Sequence, residues 1–272
     1  MVDIWRETAS IRFGNVDQSE RLTLGSIFGF FQEAAISHAE DLGVGHDALK
    51  NSGQAWILSR FSVFIERRPM WGEQIQICSW PRGCEKLFAL RDYEIRDAED
   101  HTIIQGRAGW LIIDTEKRRP LRVEPFLAPL PANKGIDSFT RTGASAIPVS
   151  LSPRDSLSKK TERVASYSDI DHYGHVNNAR YIGWIQDATD MQILTNAASM
   201  RMDINYLSEL LPGDTAEIWT APLEDSGPGE NGDPAYFPRQ PGPGFAYEGK
   251  RLGSAPGTPQ GAVFRAELRT GS

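Results

Sequence analysis

The stretch IRFGNVD at residues 11–17 returns as ASYSDID at residues 165–171, and this repeat decides the fold. An offset of 154 positions aligns Asp17 with Asp171, and the alignment extends without a gap through the residues that follow. The identical pairs beyond it are Gly29 and Gly183, Gln32 and Gln186, and Ala34 and Ala188. In both places the pattern predicts a short strand, a polar turn and then a helix.

A second repeated block follows in each half. Residues 60–65 match residues 201–206, and the same offset of 141 positions places WGE at residues 71–73 on PGD at residues 212–214. Two blocks in the same order, with a shorter connection in the second copy, indicate a duplicated domain.

Each copy is predicted to form one helix followed by antiparallel strands. The apolar residues at helical spacing in the first copy are Leu24, Ile27, Phe28, Phe31, Ala34 and Ala35. Alternation predicts first-half strands at residues 56–66, 73–80, 88–96 and 103–114, separated by turns at 69–72, 81–83 and 97–100. The second-half strands are expected at residues 204–210, 216–220, 245–251 and 262–270.

The duplication predicts two domains of similar architecture. We expect an N-terminal domain over residues 1–128, a linker rich in Pro, Ser, Gly and Lys over residues 129–160, and a C-terminal domain over residues 161–272. A loose stretch at about residues 222–244 falls where a hairpin connection is expected, so it is interpreted as a loop insertion.

Composition excludes several classes of function. With 29 Lys and Arg against 36 Asp and Glu, the net charge is −7, which argues against nonspecific nucleic-acid binding. No apolar run reaches the roughly 20 residues that span a bilayer, so membrane insertion is not expected. Only two cysteines, Cys78 and Cys84, are present, which fits a reducing, cytoplasmic location and no disulfide framework.

The run SDIDHYGHVNNARYIGWI at residues 168–185 closely resembles the acyl-ACP thioesterase family of plants and bacteria. The resemblance extends to WILSR at residues 56–60, RPMWGE at 68–73, RDY at 91–93 and the stretch at 206–214. It implies an α+β tandem (double) hotdog, in which each half is an antiparallel sheet wrapped around a long helix.

The family resemblance also implies a site. Its catalytic Asp, His and Glu, the last on a following strand, correspond to Asp171, His175 and Glu209, while the family's Asn position holds Tyr173. Leu210 stands where a Cys often follows the Glu, so a thiol nucleophile is not expected.

Thioester hydrolysis needs a group that activates water and donors for the developing oxyanion. Asp171 or Glu209 can be the base, alone or through a His–Glu pair, and the choice between general-base attack and an acyl-enzyme anhydride stays open. The backbone amides around Val176 and Asn177, at a helix N-terminus, are predicted oxyanion donors.

Structural roles compete with each of these assignments. Asp171 could cap a turn, His175 could be a buried hydrogen-bonded histidine, Asn177 could cap the helix, and Glu209 could be a solvated strand residue. His172 and His175 lack a Cys or acidic ligand pattern, so no metal and no cofactor are predicted.

The two copies of the repeat differ in the side chains at the candidate site. Opposite Asp171, His175 and Glu209, the first half has Asp17, Arg21 and Arg68. We therefore expect a catalytic C-terminal half and an N-terminal half that shapes the acyl pocket, as the resemblance also implies.

The expected function is hydrolysis of fatty acyl-ACP to free fatty acid, which terminates fatty acid synthesis, with the acyl carrier protein as partner. The alternatives are an acyl-CoA thioesterase on the same fold, which Tyr173 keeps open, and a non-catalytic acyl-binding or sensing protein. The basic cluster at residues 117–119 is either a carrier-docking surface or a solvated turn. Monomer and homodimer both stay open.

Overall fold

The structure of the protein, a computed structural model, describes residues 4–128, 130, 133, 136, 147–223, 241–252 and 261–271. Most of the predicted linker between residues 129 and 146, and residues 224–240 of the predicted loop insertion, lie outside the described residues.

Among the described residues, the first half holds six strands and three helices. The strands are β1 (Trp5–Ser10), β2 (Gln54–Ile65), β3 (Gln74–Glu85), β4 (Phe88–Arg96), β5 (Thr102–Asp114) and the short β6 (Arg119–Pro120). The helices are α1 (Leu24–Asp41), α2 (His46–Lys50) and α3 (Glu124–Leu127).

The second half repeats the pattern. Its strands are β7 (Ser158–Val164), β8 (Ser199–Tyr206), β9 (Thr215–Pro222), β10 (Pro241–Leu252) and β11 (Ala262–Gly271), and its helices are α4 (Asn178–Ala188) and α5 (Met191–Asn196). A 3-10 turn precedes the helix in each half, at Phe13–Asn15 and at Tyr167–Asp169.

The strands of the described residues join in one antiparallel sheet, in the order β1-β3-β4-β5-β2-β8-β11-β10-β9-β7, with β6 paired to β5. The two halves meet where β2 pairs with β8, and the order reads the same outward from that seam in both directions. The long helices α1 and α4 pack against each other. This architecture confirms the predicted α+β tandem hotdog.

Helix α1 forms because its apolar residues recur on one face, as predicted: Leu24, Ile27, Phe28, Phe31, Ala34 and Ala35 are all buried. The rings of Phe28 and Phe31 pack against Phe61 of β2 at centroid distances of 4.9 and 5.8 Å, and the Phe31 ring lies 4.9 Å from Tyr93 of β4. Burying each such side chain contributes about 1.5–3 kcal/mol. Thr23 caps the helix by accepting the Ser26 N–H.

Two predicted boundaries are wrong. The predicted turn at residues 81–83 lies inside β3, which continues to Glu85 through a bulge between Pro81 and Gly83. A bulge tolerates proline because the ladder is interrupted there.

The predicted strand at residues 204–210 is also displaced, because β8 ends at Tyr206. Beyond it the backbone leaves the ladder: the N–H groups of Leu207 and Ser208 both donate to the Val263 carbonyl. Glu209 therefore lies in a loop, not on a strand. No helix among the described residues is long and apolar enough to cross a bilayer.

Candidate active site

The turn that carries Asp171 is closed by its own backbone. Asp171 N–H donates to the His175 carbonyl at 2.9 Å, and Gly174 N–H donates to the Asp171 carbonyl at 3.0 Å. Gly174 has φ of +85°, a left-handed conformation that favours glycine. These bonds fix residues 171 and 175 side by side immediately before α4.

The side chains of Asp171 and His175 face each other across this turn. Asp171 Oδ1 accepts the Tyr173 N–H at 2.9 Å and lies 3.5 Å from His175 Nδ1. The Asp171 side chain is 16% exposed and that of His175 is 32% exposed, so solvent and substrate can reach both. The predicted carboxylate and imidazole are therefore brought together.

Tyr173 forms a wall of the same site. Its ring is nearly parallel to that of His175, 5.8 Å away, and meets His46 of α2 edge-on at 4.9 Å. Burial, then the nearby carboxylates of Asp171, Glu40 and Asp47, raise the pKa of Tyr173 above its ordinary value. The phenol thus keeps its proton and can act only as a neutral hydroxyl.

Glu209 is not brought into contact with the Asp171–His175 pair. Its Oε1 accepts a hydrogen bond from Arg118 Nη2 at 2.6 Å, and no hydrogen bond or ion pair joins it to Asp171 or His175 in the described part of the chain. The loop itself is tied to the turn, since Val176 N–H donates to the Leu210 carbonyl at 2.9 Å.

The buried Tyr181 of α4 lies within electrostatic reach of both carboxylates, Glu209 and Asp171. Burial raises its pKa well above the ordinary value, and the charges of Glu209 and Asp171 both add to that rise while Arg251 opposes it. Tyr181 was not predicted as a site residue, because its position in the helical pattern of apolar residues predicts only a buried core residue. His46 was not predicted either, because α2 carries no motif.

The amides of Val176 and Asn177, which were predicted to bind the oxyanion, donate hydrogen bonds within the protein in this structure. Val176 N–H bonds the Leu210 carbonyl and Asn177 N–H bonds the Asp169 carbonyl, each at 2.9 Å. The Asn177 side chain caps α4 by accepting the Ala179 N–H at 2.8 Å. In the described structure, the N–H of Asn178, the first helical residue, has no such acceptor.

The equivalent turn of the first half has the same backbone and different chemistry. Asp17 N–H donates to the Arg21 carbonyl at 3.0 Å, but Asp17 Oδ2 accepts from Arg68 Nη1 at 2.6 Å. Burial would raise the pKa of Asp17, yet the hydrogen bonds from Ser19 and Arg68 outweigh it and hold the pKa below its ordinary value. A carboxylate held in this ion pair is a poor base.

A cleft of about 560 Å³ opens beside α4. Charged and polar side chains dominate its lining, among them Arg163, Asp169, Arg180, Gln186 and Asp187. Neither Asp171 nor His175 lines it, and its walls do not suit an apolar chain.

The chain matches two family descriptions: the acyl-ACP thioesterase N-terminal domain over residues 3–129 and the acyl-ACP thioesterase C-terminal domain over residues 153–233. A chloroplastic acyl-[acyl-carrier-protein] hydrolase of Cuphea viscosissima is 23% identical over 83% of this chain and 57% of its own length. A palmitoyl-acyl carrier protein thioesterase of Arabidopsis thaliana is 22% identical over 76% and 52%. The chain thus spans little more than half the length of these curated relatives.

Solved structures share the fold along nearly the whole chain. The 12:0-ACP thioesterase from Umbellularia californica superposes with a TM-score of 0.74 at 19% identity, covering 97% of this chain and 96% of its own. An acyl-ACP thioesterase from Bacteroides thetaiotaomicron gives 0.71 at 23% identity, covering 98% and 97%. With both family domains matched in order, the chain belongs to the acyl-ACP thioesterase family.

Proposed function

We propose that the protein hydrolyses fatty acyl-ACP thioesters to free fatty acid and carrier protein, terminating chain synthesis. The observation that carries this proposal is the accessible Asp171–His175 pair in one half, opposite a half in which the equivalent Asp17 is neutralised by Arg68. The names of the relatives, which are acyl carrier protein hydrolases and thioesterases, support the same activity.

In the proposed reaction Asp171 is the general base. Its Oδ1 is held by the Tyr173 N–H, which leaves Oδ2 to orient a water molecule. The water oxygen attacks the thioester carbonyl carbon as its proton passes to the carboxylate, and the free N–H at the start of α4 stabilises the oxyanion. The carbon–sulfur bond then breaks, and the sulfur leaves as a thiol with a proton delivered from Asp171 through His175.

Attack by the carboxylate itself would form an anhydride at Asp171 instead. A single turnover in ¹⁸O-labelled water, followed by peptide mass analysis, detects an anhydride that water opens at the Asp171 carbonyl carbon. Direct attack places the label in the fatty acid and leaves Asp171 unlabelled. Label in the Asp171 carboxylate would show that an anhydride had formed.

The acyl carrier protein is the proposed partner because a basic turn borders the site. Lys117 and Arg118 are exposed between β5 and β6, and Arg118 reaches Glu209 beside the catalytic turn. An acidic partner could bind this patch although the chain as a whole is acidic. The phosphates of coenzyme A could bind there too, and Tyr173 at the family's Asn position keeps an acyl-CoA substrate as the second candidate.

Steady-state hydrolysis of acyl-ACP and acyl-CoA at matched chain lengths tests the proposal. We expect turnover of acyl-ACP that falls at least about 10²-fold in Asp171→Ala, the scale of a lost acid–base group. Higher kcat/KM for acyl-CoA would favour the second candidate. Binding of acyl chains with turnover of neither thioester would indicate a sensing protein and overturn the proposed enzyme.

Compartment and oligomeric state stay predictions. Cys78 and Cys84 are both free thiols, which supports the proposed cytoplasmic location. Cell fractionation would test the location, and sedimentation velocity would distinguish a monomer from a homodimer.

A further inference from the structure

An arginine of the second half ties the loop after β8 to the end of β10. Arg251 is the penultimate residue of β10, and its Nη2 donates to the Glu209 carbonyl and lies 3.4 Å from Asp214 Oδ2. The Arg251 side chain is only 10% exposed. Hydrogen bonds from a charged donor are roughly twice as strong as those between neutral groups, so this guanidinium fixes the backbone of the loop firmly.

The loop that Arg251 holds also holds the catalytic turn. The carbonyl of Leu210, the next residue of the loop, accepts the Val176 N–H at 2.9 Å. Val176 directly follows His175, whose carbonyl accepts the Asp171 N–H at 2.9 Å. Three hydrogen bonds therefore connect Arg251 to Asp171, and the backbone groups between them belong to residues adjacent in sequence.

Asp214 gives Arg251 a fixed counter-ion at the other end of the same loop. The Oδ2 atom of Asp214 that faces Arg251 also accepts the Leu211 N–H at 2.9 Å. The Asp214 carbonyl accepts the Ala165 N–H at 2.8 Å, so the residue is anchored by its backbone as well. Arg251 and Asp214 therefore act together on one loop, and the buried Leu210 of that loop supplies the carbonyl that meets the catalytic turn.

The first half builds the corresponding tie with the charges exchanged. The offset of 141 aligns Glu73 with Asp214, and Glu73 Oε1 accepts the Met70 N–H at 2.7 Å as Asp214 accepts the equivalent N–H. In this half the arginine belongs to the loop. Arg67 pairs with Glu73 at 2.9 Å and with Asp97, just beyond the end of β4, at 3.2 Å.

Asp97 stands where the second half has Arg251. Residue 96 of β4 lies opposite residue 76 of β3, and residue 250 of β10 lies opposite residue 217 of β9. Since 76 and 217 are related by the offset of 141, residues 97 and 251 are equivalent. The tie of the first half joins side chain to side chain, whereas Arg251 reaches the backbone of the loop that holds the catalytic turn.

We infer that Arg251 is a positioning residue for the hydrolysis: it holds the backbone of Glu209 and Leu210, and this backbone holds Asp171 in its reactive geometry. The kinetic part of this inference rests on the proposed thioesterase function. In the described part of the chain, Arg251 makes no hydrogen bond or ion pair with Asp171 or His175, so it acts through the loop. A misplacement of about 1 Å at a reacting group costs on the order of 10²-fold in rate.

Steady-state kinetics of three variants test the inference. Arg251→Met should lower kcat about tenfold to a hundredfold with little change in KM. Arg251→Lys should restore most of kcat, because both contacts come from Nη2 and an ammonium nitrogen has three donors to replace them. Arg67→Met, the matched control, breaks the equivalent tie of the first half and should leave kcat unchanged. Full kcat in a folded Arg251→Met protein, or an equal loss in Arg67→Met, overturns the inference and leaves the proposed function intact.

Amide hydrogen exchange tests the link from Arg251 to the turn without any substrate. The Val176 and Asp171 amides should exchange faster in Arg251→Met than in the wild type, and at the wild-type rate in Arg67→Met. If the wild type hydrolyses no thioester yet this increase is found, the proposed function fails and the link stands. Unchanged exchange in Arg251→Met overturns the inference. Should Arg251→Met not fold, Arg251→Gln, which also removes the charge, takes its place in both measurements.

Discussion

The catalytic turn and its counterpart in the first half are alike in backbone and opposite in charge pairing. Val176 N–H donates to the Leu210 carbonyl and Leu22 N–H donates to the Pro69 carbonyl, both at 2.9 Å. Isolated bridges close both turns, between Ile170 and Val176 and between Val16 and Leu22. The two turns therefore share the same backbone hydrogen bonds, one for one.

What differs is which side chain faces the aspartate. Arg68 and Glu209 occupy equivalent positions, each preceding the carbonyl that receives the turn's N–H. Arg68 turns inward, 3% exposed, onto Asp17, whereas Glu209 turns outward to Arg118 and leaves Asp171 with His175. One scaffold thus gives a structural ion pair in one half and an accessible base in the other.

Replacing each of the two aspartates separately should show the largest difference between the two turns. Asp171→Asn should lower kcat about 10²- to 10⁴-fold with little change in stability, because it removes a proton acceptor and keeps the shape. Asp17→Asn, the matched control, should leave kcat within a few-fold and lower the melting temperature. Steady-state kinetics and thermal unfolding read both effects, and comparable loss of kcat in the two variants would mean that both turns take part in catalysis.

Arg68→Met should destabilise the protein by about 2–3 kcal/mol, below the value for a fully buried pair because Asp17 is partly exposed. The released partners are Asp17 and the Leu194 carbonyl, which accepts Arg68 Nη2 at 2.8 Å. Denaturant unfolding measures the loss, and Glu209→Met is the matched variant that should change stability far less. Equal destabilisation by Arg68→Met and Glu209→Met would contradict the proposed difference between the Arg68–Asp17 and Glu209–Arg118 ion pairs.

The same ion pair has a pH signature. The depressed pKa of Asp17 means that its stabilisation is present above the ordinary carboxyl pKa and is lost as pH falls through the folded value. The gap in unfolding free energy between wild type and Arg68→Met should therefore shrink below about pH 4. A gap that stays constant down to pH 2 would show that Arg68 acts through packing alone.

The sequence predicts the scaffold well because repetition and periodicity are local. The offset of 141 aligns Gly72 with Gly213, and the structure gives these glycines φ of +85° and +84°. The Gly72 N–H donates a hydrogen bond to the Ile11 carbonyl, and the Gly213 N–H donates the equivalent one to the Ala165 carbonyl. The helix faces and β4 follow from apolar spacing in the same way.

The site is predicted only in part, because long-range pairing decides the rest. Asp171, Tyr173 and His175 share one turn, so their proximity follows from spacing. The partner of Glu209 is Arg118, from the other half of the chain, and no local pattern reveals it. The engagement of the Val176 and Asn177 amides likewise depends on how the loop after β8 folds back.

Replacing His175 should have a smaller effect than replacing Asp171. His175→Ala should lower kcat about 10- to 10²-fold, since the imidazole relays a proton while the base remains. Arg21→Ala is the matched variant in the first half, where Arg21 donates to the Thr195 carbonyl at 3.4 Å, and it should leave kcat unchanged. Full activity of a folded His175→Ala protein would reduce His175 to a residue that orients the turn.

The smallest effect is expected at Glu209, where the structure and the family resemblance point in different directions. If Glu209 serves only its exposed ion pair with Arg118, then Glu209→Gln and Arg118→Ala should each change kcat less than about threefold and stability by less than about 1 kcal/mol. Arg118→Ala is the matched control, because it breaks the same ion pair and keeps the carboxylate. A loss above about 10²-fold in Glu209→Gln alone would make Glu209 catalytic, as predicted from the resemblance. It would also mean that the Arg118 contact opens when substrate binds.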